Sequence, residues 1–326
     1  MEKYSKTAVI TGITGQDGLI SANLLISRGW DVIGVTRNLN HPRVHELREL
    51  YPNMDFVELE KSSGFFTGLV KKYNPEFFLH WGSPSSVSNP WEEPTTTLND
   101  LIMTCSYILQ AVISNGAQAP ALMLPISSEI FQKDGFGKTS SSSRALNSIY
   151  AIGKNTMLEL AKLYREKYEI QIFTPILFPH ESPFRSGNFF SQRIMDAIIG
   201  TRKDPDFRTS IGDLDAKRDW SWAPSVVSFI IDELEKGSSE TITVGSGTLY
   251  STSAFIENFF SAAGIRGWQN HFNVDLNLVR KEGSLGNFAS MESGKLFSQP
   301  ALSEWSKMYV ESVLSGKFLG LTTGRQ

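Results

Sequence analysis

A single cysteine, Cys105, occurs in 326 residues, so no internal disulfide can form and the thiol reads as packing within residues 101–111. That scarcity fits a reducing compartment. No apolar run reaches the roughly 20 residues that a membrane helix needs. Residues 1–6 lead directly into a strand, so a soluble, cytoplasmic protein with no membrane partner is expected. Excess charge is also scarce. The 31 Lys and Arg against 34 Asp and Glu leave −3, which argues against nonspecific nucleic-acid binding. Internal repeats are missing, and the one low-complexity patch, residues 139–143, reads as a flexible surface loop. His41 and His45 stand four residues apart with no cysteine or carboxylate set around them, so no metal site is expected. His80 reads as a satisfied core histidine.

What the chain does have is alternation. Residues 7–10, 31–35, 55–59, 76–81, 121–126 and 170–177 read as strands. Helical periodicity fills 19–28, 47–51, 64–73, 98–115 and 149–168. This pattern predicts an α/β fold, a Rossmann-type doubly wound parallel sheet covered on both faces. Residues 1–177 are the expected dinucleotide-binding domain, rejoined by about 212–236, where 221–235 reads as a helix. Residues 178–326 are expected to form mainly a smaller, discontinuous substrate-binding lobe, with Trp220 and Trp222 at the junction.

Three motifs fall at the carboxyl ends of predicted strands, where such sheets bind their ligands. The first strand runs into Thr11-Gly12-Ile13-Thr14-Gly15-Gln16-Asp17-Gly18, which opens a helix. Strand, glycine turn and helix N-terminus together present backbone amides to a pyrophosphate, so Gly12, Thr14, Gly15, Gln16, Asp17 and Gly18 are cofactor candidates. Residues 82–86, beginning with Gly82, follow the fourth strand, and Ser127-Ser128-Glu129 follows the fifth. Tyr150 and Lys154 lie at i and i+4 of a predicted helix, so the ammonium can favour a phenolate and make the tyrosine a base near neutral pH. Val35-Thr36-Arg37-Asn38 carries no carboxylate for a ribose 2′-hydroxyl, whereas Arg37 suits a 2′-phosphate. NADP is therefore the expected cofactor.

The glycine spacing, joined to Ser127, Tyr150 and Lys154 in that order, resembles the extended short-chain dehydrogenases/reductases. Two further segments resemble the GDP-mannose 4,6-dehydratases within that superfamily. Phe178-Pro179-His180-Glu181-Ser182-Pro183-Phe184-Arg185-Ser186-Gly187-Asn188-Phe189 is similar to that family's Asn-His-Glu-Ser-Pro-Arg-Arg-Gly stretch, and Gly212-Asp213-Leu214-Asp215-Ala216-Lys217-Arg218-Asp219-Trp220 to its Gly-Asn-Leu-Asp-Ala-Lys-Arg-Asp-Trp.

The resemblance implies roles. Ser127, in place of a catalytic Thr, Glu129, Tyr150 and Lys154 would be catalytic. Glu58 would address the adenine, with Leu59, Gly82, Tyr150, Lys154 and His180 also on the cofactor. Ser85, Ser128, Glu181, Asn188, Arg193 and Arg218 would hold a nucleotide sugar, preferably a GDP-sugar, with the two arginines on its diphosphate. The activity implied is conversion of a nucleotide hexose to its 4-keto-6-deoxy form by C4 oxidation, loss of water across C5 and C6, and hydride return to C6.

Departures from the family include Pro179 for Asn, Phe184 for Arg, Ile149 for Pro and Arg37-Asn38 for paired arginines. The loop at 39–43 is shorter than the family's, so the expected assembly is a homodimer, with a tetramer left open. Residues beyond about 235 match poorly. Within the superfamily a UDP-glucuronate decarboxylase, which also passes through a 4-ketone, and a 4-epimerase or 4-ketoreductase, which has no use for Glu129, are the alternatives. A reading of another class is an NADP-binding sensor or scaffold without turnover, which would have no chemical need for Ser127, Glu129, Tyr150 and Lys154 together.

Overall fold

In the computed structural model the described residues are 6–84, 93–133, 139–144, 146–186, 189–275, 278 and 297–323. Ser85 and Asn188 lie outside them. The chain divides into two compact units, the first made of Met1–Gln132, Ser141–Leu177 and Val227–Val244, the second of Lys133–Ser140, Phe178–Val226 and Gly245–Gln326.

The first unit is built on strands β1 (Thr7–Thr11), β2 (Asp31–Thr36), β3 (Asp55–Glu58), β4 (Phe77–His80), β5 (Ala121–Met123), β6 (Ile126–Ser127), β9 (Ile172–Leu177) and β14 (Thr241–Val244). The order across the sheet is β14-β9-β5-β4-β1-β2-β3, with β6 also on β9, and every pairing is parallel. Parallel strands need crossovers, and helices α1 (Gln16–Ser27), α2 (Pro42–Leu50), α3 (Ser63–Tyr73), α4 (Pro94–Leu98), α5 (Thr104–Ile113) and α6 (Ile149–Tyr168) follow in chain order. The strands carry the near-continuous apolar runs of a sheet covered on both faces, with Ala8, Val9, Ile10, Phe78, Leu79 and Leu122 fully buried. Strand order reverses between β1 and β4, and a crevice at such a switch point is where an open sheet of this kind takes its ligand.

Helix α6 begins at Ile149 because the Ser148 hydroxyl accepts the Ala151 N–H at 3.0 Å, and it ends where Glu169 turns left-handed at φ 53°.

Three sequence expectations are corrected. The strand at 121–126 is two short strands, β5 and β6, because Pro125 has no N–H to give the ladder. The helix at 98–115 starts at Pro94 and carries a five-residue π-turn, Asn99–Met103, between α4 and α5. Residues 139–143 belong to a strand, β8 (Thr139–Arg144), paired with β7 (Phe131–Lys133). Pairing satisfies the backbone of this serine-rich segment, which composition alone assigns to a loop. Strand β14 was not expected at all.

The second unit carries short paired strands instead of one sheet. Parallel pairs form between β10 (His180–Glu181) and β13 (Ser221–Trp222) and between β11 (Thr209–Ile211) and β16 (Phe272–Val274). Antiparallel pairs form between β12 (Lys217–Arg218) and β15 (Tyr250–Ser251) and between β17 (Lys317–Phe318) and β18 (Leu321–Thr322). Helices α7 (Phe190–Lys203), α9 (Thr252–Ala262) and α10 (Leu302–Ser315) supply most of its core, while α8 (Ala223–Glu235) starts in this unit and runs on in the first. Trp220 and Trp222, expected at the junction, stand in the second unit's core: Trp220 meets Phe255 at 4.5 Å, and Trp222 stacks on Trp305 at 5.8 Å and 22°. Small strand pairs bury little by themselves, so aromatic side chains provide the apolar area. Truncating one such Trp to Ala costs about 3–5 kcal/mol. Among the described residues no helix is long and apolar enough to cross a membrane.

Candidate active site

At the switch point the backbone is packed to the limit that glycine allows. Gly12 takes φ 71°, and a Cβ there would stand 2.7 Å from Gly82 Cα. A Cβ on Gly18 would stand 2.3 Å from Gly12 O, so β1, the start of α1 and the end of β4 meet through three residues without side chains. The Thr11 hydroxyl ties the same strand ends, accepting Gly82 N–H at 3.3 Å and bonding His80 Nδ1 at 2.7 Å.

Helix α1 makes its first backbone bond from Leu19 N to Gly15 O, and Gly15 provides no side-chain cap. The amides of 16–18 thus precede the first intrahelical bond, at the positive end of the helix dipole. A glycine-bounded turn ending in such a helix start fits the pyrophosphate of a dinucleotide, with Gly12, Thr14, Gly15, Gln16, Asp17 and Gly18 as the residues that would hold it. Gln16 is buried and donates to Asp17 Oδ1 at 3.1 Å. Arg37 is exposed at the end of β2, as is Glu58 at the end of β3, and Leu59 N–H donates to Thr36 O at 2.7 Å. These ends of neighbouring strands β2 and β3 form one edge.

The catalytic candidates come from β6 and α6. Ser127 ends β6, and its Oγ accepts the Glu129 N–H at 3.3 Å at the start of a one-turn 3-10 helix, Ser128–Ile130. The turn leaves Ser127 and Glu129 half-buried and Ser128 buried. On α6, Tyr150 and Lys154 are 6% and 3% exposed, and Lys154 Nζ lies 5.8 Å from the Tyr150 ring centre. The shared helical face expected from their spacing is therefore present.

Lys154 Nζ donates to Ser83 Oγ and to Pro125 O, each at 2.9 Å. Both acceptors are neutral, and burial pushes the ammonium down to about 8. Pro125 interrupts the strand between β5 and β6, and its carbonyl serves Lys154 instead. Nearby, burial and then the Lys154 charge hold His80 down at about 3, and burial pushes the Cys105 thiol up to about 12. His80 satisfies the expectation of a bonded core histidine only at Nδ1; Nε2 is buried with no hydrogen-bond partner among the described residues.

The second unit holds the other candidates. His180 is buried and Nδ1–H donates to Phe178 O at 2.8 Å. Glu181, read from the resemblance as a sugar contact, is also buried, and its carboxylate accepts Ser191 Oγ–H at 2.5 Å with Arg185 Nε 3.7 Å away. Tyr309 O–H donates to Ser191 Oγ at 3.2 Å and Gln192 Nε2 to Tyr309 Oη at 2.6 Å, so this carboxylate closes a network that anchors the start of α7. Arg193 is exposed on α7, and Arg218 is half-buried on β12 opposite Tyr250, donating to Lys217 O at 2.7 Å.

Sequence reasoning placed residues 82–86 at the crevice but gave no role to Ser83, Thr11 or Pro125. Ser83 and Pro125 lie 71 and 29 residues from Lys154, a separation at which no local pattern signals contact.

The model of the GDP-mannose 4,6 dehydratase family matches residues 9–286. This chain belongs to that family. It is 28% identical over 272 residues to the GDP-mannose 4,6 dehydratase of Dictyostelium discoideum, covering 80% of this chain and 76% of the relative. To the Vibrio cholerae GDP-mannose 4,6-dehydratase it is 27% identical over 266 residues, covering 77% and 70%. Among solved structures, UDP-glucose 4-epimerase from Thermotoga maritima superposes with a TM-score of 0.80 at 17% identity, covering 95% of this chain and 99% of that one. The dTDP-glucose 4,6-dehydratase from Bacillus anthracis str. Ames in complex with NAD gives 0.77 at 14%, covering 94% and 96%. These two likenesses speak to the fold alone, a Rossmann-type α/β fold on a parallel central sheet. The family member is an enzyme of the nucleotide-sugar dehydratase and epimerase group.

Proposed function

We propose that this protein is a nucleotide-sugar 4,6-dehydratase that takes a hexose carried on a nucleoside diphosphate, preferably GDP, and uses NADP. The observation that carries the reading is Glu129, a half-buried carboxylate held two residues from Ser127 by the turn that ends β6, in a unit that also buries the Tyr150–Lys154 pair. An epimerase or ketoreductase has no work for that carboxylate, whereas an elimination needs a second base.

When bound, the dinucleotide supplies the hydride acceptor for C4 and the hydride donor for C6. Tyr150, with the Lys154 ammonium 5.8 Å from its ring centre, takes the proton of the 4-hydroxyl. Lys154 stays in place through Ser83 and Pro125. Ser127 donates to the C4 oxygen and polarises the carbonyl that forms there. That carbonyl acidifies C5–H, so Glu129 removes the C5 proton and returns one to the departing C6 hydroxyl, which leaves as water, and C5 takes back a proton when C6 is reduced, balancing the one taken from the 4-hydroxyl. The sugar loses one water and undergoes no net oxidation.

Arg37 is proposed for the 2′-phosphate, Glu58 for the adenine, and Leu59 for the cofactor beside it. His180 is proposed on the cofactor as well. Ser85, Ser128, Asn188, Arg193 and Arg218 are proposed to contact the substrate, with both arginines on the diphosphate. Glu181 is proposed to serve the substrate side through Ser191, which shares α7 with Arg193. The proposed assembly is a homodimer, in the cytoplasm.

The test uses nucleotide hexose deuterated at C4. The label should appear at C6 of a product lighter by one water, and Glu129→Gln should halt at the 4-keto sugar without losing water. Label washed out or returned to C4 would point to an epimerase, and carbon dioxide from a uronate to a decarboxylase. Absence of any turnover with intact cofactor binding would indicate a sensor. For the cofactor, Arg37→Asp should weaken NADP(H) and favour NAD(H) in parallel titrations, and an unchanged preference would remove Arg37 from that role.

A further inference from the structure

The helix that runs from α4 into α5 is interrupted by the π-turn Asn99–Met103, and Leu101 is its buried residue. A π-turn is rare, because it inserts a residue with poorer packing around the axis, and where it persists something nearby requires the altered register. Gly153 meets Leu101 from α6. An ideal Cβ on Gly153 would stand 2.5 Å from Leu101 Cδ1, 3.2 Å from its Cβ and 3.4 Å from its Cγ. Rotating Leu101 could move Cδ1 but not its Cβ, and Leu101 has no exposed surface to swing into. A methyl group at 153 therefore demands separation of the two helices.

Gly153 is otherwise an odd choice. It lies inside the first turns of a 20-residue helix, at a φ that any residue can adopt, where glycine is a poor helix former. Its position relative to the candidate chemistry is specific: Tyr150 is i−3, on the same helical face, and Lys154 is the next residue.

We propose that Leu101, carried by the π-turn, seats in the notch at Gly153 and thereby sets the depth at which α6 presents Tyr150 and Lys154. Leu101 and Gly153 are positioning residues, and this role rests on the reading of Tyr150 and Lys154 as the reacting pair. The register change of the π-turn brings a leucine, and not a neighbouring half-exposed residue, to that notch.

Two readouts separate positioning from general stability. In Gly153→Ala, kcat on the nucleotide sugar should fall about 10²-fold while KM moves by less than about threefold, the signature of misplaced reacting groups. In protein carrying 13Cζ-tyrosine, the Tyr150 resonance, assigned by its loss in Tyr150→Phe, should shift in Gly153→Ala. The double variant Leu101→Ala with Gly153→Ala, which gives the new methyl room, should recover kcat and return the resonance toward its original place. Unchanged kcat and resonance in Gly153→Ala would overturn the proposal, and so would a loss that persists in the double variant. If Gly153→Ala gives no folded protein, Leu101→Val decides. A shifted Tyr150 resonance with a drop in kcat of about threefold supports the proposal, and an unmoved resonance overturns it. The resonance needs no sugar, so a wild-type enzyme that turned over no nucleotide sugar would defeat the proposed function while leaving this inference tested.

Discussion

Lys154 in the first compact unit and Glu181 in the second are both buried charged side chains, and they are held differently. Lys154, in the first, donates to a serine hydroxyl and a backbone carbonyl, both neutral. Glu181, in the second, accepts a serine hydroxyl and faces the Arg185 guanidinium at 3.7 Å. A buried cation given only neutral acceptors retains a desolvation cost, which is why its pKa is pushed down to about 8. A buried carboxylate facing a cation is compensated where it stands and becomes part of the scaffold. Between these two, the charge with only neutral partners is the one whose field is left to act on a neighbouring group, here Tyr150.

Removing Lys154 should have the largest effect. Lys154→Met should lower kcat by about 10²–10⁴, in line with the loss of a group that tunes an acid–base residue. The same variant tests the cost of burial. Between the folded value of about 8 and the ordinary 10.5, the unfolded chain binds the proton that the folded protein has released, so Lys154 makes stability rise with pH across that window. Urea titrations should show a slope of up to about 1.4 kcal/mol per pH unit in wild type that is missing from Lys154→Met. Equal slopes would mean that burial does not disfavour the Lys154 ammonium.

Glu181→Ala comes next, and it should cost stability first. Removing one partner of a buried pair costs about 3 kcal/mol, the low end for such pairs because the separation is long. Urea midpoints check it, and Arg185→Leu should relieve part of the loss when combined with it. If Glu181→Ala left the midpoint in place and only raised KM, the carboxylate would be a substrate ligand and the contrast with Lys154 would fail.

The smallest effect concerns His80, buried near Lys154 and held at about 3. From the ordinary 6.5 down to about 3 the unfolded chain takes up a proton that the folded protein refuses, so stability falls as pH drops through this window. His80→Leu should flatten that acid limb in thermal unfolding, and an unaltered limb would show that His80 can be charged in place.

Much of the first unit was legible in the sequence because its signals are local. Apolar runs of strand length, the glycine turn at residues 12–18 and the i, i+4 spacing of Tyr150 and Lys154 each act within a few residues. The second unit was far less legible. Its strands are mostly two or three residues long, too short to show a period, and its core is assembled from aromatics distributed between Phe190 and Phe318. Residues 139–143 were misread as a loop because a serine-rich strand has no apolar alternation to show.

By itself, then, the sequence determined the parallel α/β alternation, the glycine turn and the shared helical face of Tyr150 and Lys154, since backbone sterics and helical spacing operate between near neighbours. Only the tertiary structure decided that Gly82 closes on Gly12, that Leu101 fills the notch at Gly153, and that Ser83 and Pro125 hold Lys154. Those contacts join segments separated by tens of residues, where close packing, not any pattern along the chain, selects which atoms meet.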